Sequence, residues 1–215
     1  MKSVSHPTPV LRVPLQTDEE QTRRLLALQA LFAQMCNALA PLVQQTRVWE
    51  RVALHRMAYQ ALRQQFPAAG SQLVCNAIYA VSRTCRLVFQ NPQSPFHLSR
   101  LGTRPLPLLR FGDDCPVYFD RHTLSLKGGQ LSMYTLDGRM RFDLRLDPQA
   151  ERRFHEEKLQ EVVLTRDRDG QFALTIRFAP AFASAPAPAA AAAQPEAAPA
   201  PGRTPIPEFV QVLEP

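Results

Sequence analysis

Two runs of residues in this sequence have the types and spacing of a polyanion contact. Arg51, His55, Tyr59 and Arg63 recur every four residues, and Asn76, Tyr79, Arg83, Arg86 and Gln90 recur at alternating threes and fours. On a helix each run lies along one side. Guanidinium groups pair with phosphate oxygens in a forked geometry, and a Tyr or His ring between them stacks on an exposed base. A solvated helix side rich in arginine would show the same pattern. Charge weighs against that plainer reading. Residues 21–110 carry eleven arginines, Arg47, Arg100 and Arg104 among them, against a single acid, Glu50. The chain's formal charge of +6 is therefore concentrated in this one segment. A surface that meets nucleic acid is the expectation. Of the 25 basic residues 22 are arginine, so an arginine-rich proteome explains the preference over lysine but not the missing acids.

Other chemistries find little support. The four cysteines, at 36, 75, 85 and 115, form no CxxC pair, and the five histidines are scattered. Buried free thiols are expected, with no metal and no cofactor. Asp113-Asp114 reads as a turn. The N-terminal residues lack the apolar run of a signal peptide, and no stretch reads as long enough to span a bilayer, so a cytoplasmic protein is expected.

The elements that must position the two rows follow from periodicity and punctuation. Val10-Leu11-Arg12-Val13-Pro14-Leu15 reads as a strand, which Pro14 places at a sheet edge or at a strand end. Thr17 and Glu20 have capping-box spacing and start a first helix, whose apolar stripe is Leu25, Leu28, Phe32, Met35, Leu39 and Leu42 and whose end is expected near Pro41 or Val43. A second helix is predicted over 47–65, stopped by Phe66-Pro67, and a third over 72–90 after Gly70-Ser71. The third has an apolar row of Val74, Ile78, Val81, Cys85 and Val88, which leaves the Asn76–Gln90 row on a different, wet side. Residues 91–116, with five prolines, read as a connector.

From Val117 the period changes to two. Strands are predicted at 117–119, 123–126, 131–135, 140–144, 159–165 and 172–178, with turns at Gly128-Gly129, Asp137-Gly138 and Asp167–Gly170 and a short helix from Pro148 to about Glu157. The fold class expected is α+β: a small antiparallel β-barrel, wedge-like or OB-like, over 8–16 and 105–178, with a three-helix bundle over 17–104 inserted into it. Residues 179–215 read as a disordered Pro/Ala-rich linker ending in a short peptide. In that peptide Phe209, Val210, Val212 and Leu213 have the pattern of a docking segment that adds a strand to a partner or fills its groove; an inert end fits as well.

The order of these parts carries a resemblance. A strand, a capped helix with Cys36-Asn37-Ala38-Leu39, Tyr59-Gln60-Ala61-Leu62-Arg63 before Phe66-Pro67 and Ser71-Gln72, a helix with Ala77-Ile78 and Ala80-Val81, and then the Gly-marked hairpins follow in sequence. Over residues 8–178 this resembles the N-terminal half of the TnpB family of transposon-encoded RNA-guided nucleases and their type V CRISPR relatives. The resemblance implies a wedge barrel and a helical recognition insert that hold a guide RNA and a target-flanking DNA motif through backbone and shape. Arg47, Arg51, Arg63, Arg83 and Arg86 would contact phosphates, and Asn37 would help form the RNA seat.

The family's RuvC nuclease carboxylates and zinc motif have no counterpart here, because Phe178 leads straight into the Ala/Pro tail. The expectation is a nuclease-free protein that binds a structured guide RNA and target DNA, with a separately encoded RuvC chain as its partner and no enzymatic activity of its own. Two other readings stand beside it: a regulator that binds duplex DNA without RNA, and an adaptor that acts through its tail peptide.

Overall fold

The computed structural model describes residues 10–179 and 206–214, apart from 121, 145 and 147. The disorder expected of 179–204 thus falls, Ala179 aside, outside the described residues. Capping chemistry sets the first helix one residue from its expected start. Asp18, not Thr17, is the N-cap of α1 (Glu19–Thr46). Its carboxylate accepts from the Gln21 N–H at 2.7 Å, and the Gln21 side chain accepts from the Asp18 N–H at 3.0 Å. A carboxylate at the positive end of the helix dipole outdoes a hydroxyl. Thr17 is left to accept from the Thr22 hydroxyl.

The same helix runs past its expected end, with Pro41 inside it. Proline removes one helical N–H, but Val43 beyond it is buried in the core and keeps the last turn in register. Arg47 closes the helix in the left-handed region, φ 57°. By length and composition α1 could cross a bilayer, although half of its apolar window is buried inside the protein. The expected stripe is the reason: Leu25, Leu28, Phe32, Met35 and Leu39 all lie in the core.

The second helix, α2 (Arg51–Gln65), starts four residues later than expected because Glu50 caps it, accepting from the Val52 and Ala53 N–H groups. The third, α3 (Ser71–Cys85), continues into a π-helical turn, Arg86–Gln90. That wider turn buries both Val88 and Phe89, with Phe89 tilted against Trp49 at 5.5 Å.

The β-body is antiparallel throughout. Its main sheet has the order β1-β8-β7-β3, from β1 (Val10–Pro14), β8 (Phe172–Phe178), β7 (Leu159–Arg166) and β3 (Val117–Phe119). As expected, β1 is at an edge. A second sheet, β4-β5-β6, is built from Leu124–Lys127, Gln130–Thr135 and Gly138–Asp143. Gly128 and Gly129, both at positive φ, make the first of its hairpin turns, and Gly138 at φ 87° helps make the second. Helix α5 (Pro148–Glu156) then returns the chain to β7.

None of these sheets closes into a barrel, which corrects the expected architecture. After three residues of β3, Asp120 folds the chain into a turn, its carboxylate accepting from the His122 and Thr123 N–H groups at 3.0 Å. The next strand therefore leaves the main sheet and founds a new one.

The expected connector is also more structured than its prolines suggested. It holds a four-residue helix, α4 (Leu98–Leu101), and a strand, β2 (Leu108–Phe111). This strand pairs with β9 (Val210–Leu213), from the peptide expected to dock on a partner. The peptide adds a strand as its pattern suggested, but here to its own chain. On the other side of β2, Asn37 of α1 stands in for a neighbouring strand. Its amide donates to the Phe111 carbonyl at 2.9 Å and accepts from the Phe111 N–H at 2.8 Å. Its place is thus in the packing of α1 on β2. Asn37→Ala should leave two polar groups of a buried residue without partners and lower stability by about 2 kcal/mol, read by urea unfolding. Gln45→Ala, on the exposed side of α1, should leave the midpoint unmoved.

Candidate nucleic-acid interface

The two predicted rows meet different fates because α3 is covered on both sides. Its apolar row packs into the helical lobe, and the first three residues of the opposite row, Asn76, Tyr79 and Arg83, reach β3 and β7, while Gln90 at its end is exposed. Asn76 is buried and donates to the Tyr118 carbonyl at 2.8 Å. Tyr79 donates through its hydroxyl to Glu161 Oε1 at 2.9 Å, and Arg83 pairs with the same oxygen at 2.7 Å. Arg177 of β8 approaches the other carboxylate oxygen at 3.7 Å. Arg86, half-buried, donates to Ser82 Oγ at 2.9 Å. Asn76, Tyr79, Arg83 and Arg86 thus each have a partner inside the fold, Asn76 buried and the other three half-buried.

Glu161 was missed. A charged residue in a strand reads as outward, but β7 is buried at every position from Glu161 to Leu164, and Glu161 is 8% exposed. Two guanidinium groups make that burial tolerable. The carboxylate in turn raises the pKa of the Tyr79 hydroxyl, after the larger effect of burial. Burial also pushes Tyr118 well above the ordinary tyrosine value. Its ring lies edge-on to Tyr79 at 5.4 Å, so the helix meets the sheet through aromatic as well as ionic contacts.

The α2 row stays closer to the surface. Arg51 is exposed, with its guanidinium carbon 5.2 Å from the Tyr79 ring centroid. His55 and Tyr59 are half-buried and stack on each other at 4.7 Å. Cys75 of α3 lies 3.7 Å from His55 Nε2. Its thiol is pushed up by partial burial, so it is a poor nucleophile. Arg63 turns inward and donates to the Ala69 carbonyl, closing the turn between α2 and α3. Arg56, which belongs to neither predicted row, adds an exposed cation to α2.

A second cluster forms where the sequence separates its members widely. Arg47 reaches the Gly102 and Arg104 carbonyls, Arg104 donates to the Arg100 carbonyl at 2.8 Å, and Arg100 reaches the Pro92 carbonyl. All three are exposed, and each leaves most of its five N–H donors uncommitted. Among the described residues no ion pair ties any of them to a carboxylate. The one acid of the segment, Glu50, accepts instead from the Val52 and Ala53 N–H groups at the α2 N-terminus, which lower its pKa. The geometry suits phosphates: guanidinium groups held by carbonyls on a proline-rich rim, with an arginine and a stacked His–Tyr pair on the neighbouring helix.

The thiols at 36, 85 and 115 are buried, with Cys85 pushed up to about 12 by burial. The chain matches no protein-family model and no curated protein.

Glu161→Ala should cost about 2 kcal/mol, because three groups lose a shared partner at the junction of helix and sheet, two of them partly screened by solvent. Thermal unfolding checks it. The raised tyrosines set a pH dependence. The folded state holds their protons more tightly than the unfolded chain, so stability is complete below the unfolded tyrosine pKa of about 10 and falls as pH rises beyond it. Tyr118→Phe should flatten that fall between pH 10 and 11 in denaturant titrations.

Proposed function

We propose that this chain is a nucleic-acid-binding module that carries a structured guide RNA in a TnpB-like or type V-like RNA-guided system. The observation that carries the reading is the arginine cluster of residues 47, 100 and 104, exposed in a segment, residues 21–110, whose single acid caps a helix. The order of parts supports it, with a helical lobe between the first strand and the rest of an antiparallel β-body. In this reading the β-body is the counterpart of the wedge, opened instead of closed, and the lobe is the counterpart of the recognition insert. Arg51, His55 and Tyr59 extend the surface, with the arginine on phosphate and the rings beside an unstacked base. The protein binds and positions, and cutting falls to a separately encoded RuvC chain. Target DNA enters through pairing with the guide. The cytoplasm is its site of action.

The test begins with the RNA that copurifies with the protein, which should be one discrete structured species on sequencing. In filter binding to that RNA, a triple variant with Arg47→Gln, Arg100→Gln and Arg104→Gln should lose at least tenfold in affinity. Its slope of log K against log salt should also be shallower by about three, close to one per phosphate contact. Arg86→Gln should leave the slope unchanged. Recovery of no discrete RNA, or a triple variant that binds as the parent does, would sink the reading. RNA-free protein with sequence-preferring duplex DNA binding would replace it with a DNA regulator.

A further inference from the structure

The two edges of β2 are treated differently. Its inner edge is closed by side chains: the Asn37 amide takes both the N–H and the carbonyl of Phe111, and Gln44 donates to the Leu106 carbonyl at 3.0 Å. Backbone groups alternate along a strand, so Leu108 and Arg110 present theirs to the other side, as does Gly112, whose N–H donates to the Phe209 carbonyl at 2.9 Å. That outer edge is an open acceptor for one more strand, and β9 fills it in the register Leu108↔Leu213 to Phe111↔Val210.

The hold of β9 on the rest of the protein is short: Val210 belongs to the core, and Phe209 and Val212 pack against it. Val210 is buried, Val212 is half-buried and Leu213 is exposed. The one ion pair at its start, Arg168 with Glu208 at 3.3 Å, is between two exposed side chains. Between positions 179 and 206 lie 26 residues, mostly alanine and proline. At no more than about 3.5 Å per residue they allow a span of up to about 90 Å, enough to reach the same edge on another molecule.

We propose that the outer edge of β2 is a strand-acceptor site through which two copies of this chain associate, each donating residues 206–214 to the other. The occupant follows from what the edge already accepts. A second copy brings the same Phe209–Leu213 register, the same Val210 anchor against Phe111 and the same acid for Arg168. The exchange closes on itself as a twofold dimer, because donor and acceptor are both present in each copy. Docking within one molecule competes through its high effective concentration, so the exchanged form gains with protein concentration.

Two full-length variants separate donor from acceptor. Val210→Asp places a charge where the anchor is buried and disables the tail while leaving the edge vacant. Arg110→Pro, at an exposed position, removes an N–H that faces β9 and disables the edge while leaving the tail free. Each alone should be monomeric by light scattering, and a mixture of the two should give a one-to-one heterodimer. Labelled peptide of residues 206–214 should bind the Val210→Asp chain at least about tenfold more tightly than the unaltered chain, whose own tail competes. A mixture that stays monomeric while both variants keep the parent's circular dichroism overturns the proposal. So does peptide binding without heterodimer, which would make the tail an intramolecular strand only. The nucleic-acid reading does not depend on this outcome, since none of the arginines tested for RNA binding is altered.

Discussion

A single buried carboxylate ties the two halves of this protein together. Glu161 sits on a strand of the main sheet and receives Arg83 and Tyr79 from the third helix and Arg177 from the neighbouring strand. A lone carboxylate at this depth would be costly, and a pair of guanidinium groups would have no reason to lie between a helix and a sheet without it. Each makes the other's position tolerable. Because the contact is ionic and hydrogen-bonded, it fixes the rotation of α3 about its axis, which apolar packing alone leaves loosely specified.

A second constraint works on the short strand inside the proline-rich segment. Four residues cannot hold a place without partners for their backbone. Asn37 supplies them on one side by mimicking the pairing of a strand with a single amide, and β9 supplies them on the other. The first helix is therefore more than a core stripe. Its polar residues reach outward at several places: Gln21 holds the Arg141 carbonyl, Arg24 holds Thr135 and the Asp137 carbonyl, Gln29 holds the Cys115 carbonyl, Asn37 holds Phe111 and Gln44 holds Leu106. Each pins a piece of the β-body that the main sheet does not include.

These two constraints sort the arginines. Those on α3 and at the α2–α3 turn are drawn inward by a carboxylate, a hydroxyl or a carbonyl, and they organise the fold. Those on the outer side of α2 and around Gly102 have only ring faces and carbonyls for company, and they keep their charge toward solvent. The positive character of the lobe is thus narrower than the sequence suggests.

What the sequence determined by itself was local. The capped start of α1 within one residue, the apolar stripes of α1 and α3, the glycine-marked hairpins and the edge position of β1 all follow from periods, caps and turn residues, which depend on near neighbours. Tertiary structure alone decided three things. It decided that Asn76, Tyr79 and Arg83 meet a sheet, since a helix with two distinct sides does not record which side will be covered. It decided that Glu161 is buried, because β7 is covered on both faces from Glu161 to Leu164, which a local pattern does not record. It also decided that the terminal peptide lies on β2, because that pairing joins residues about a hundred positions apart, and no local pattern carries the partner of a strand over such a distance.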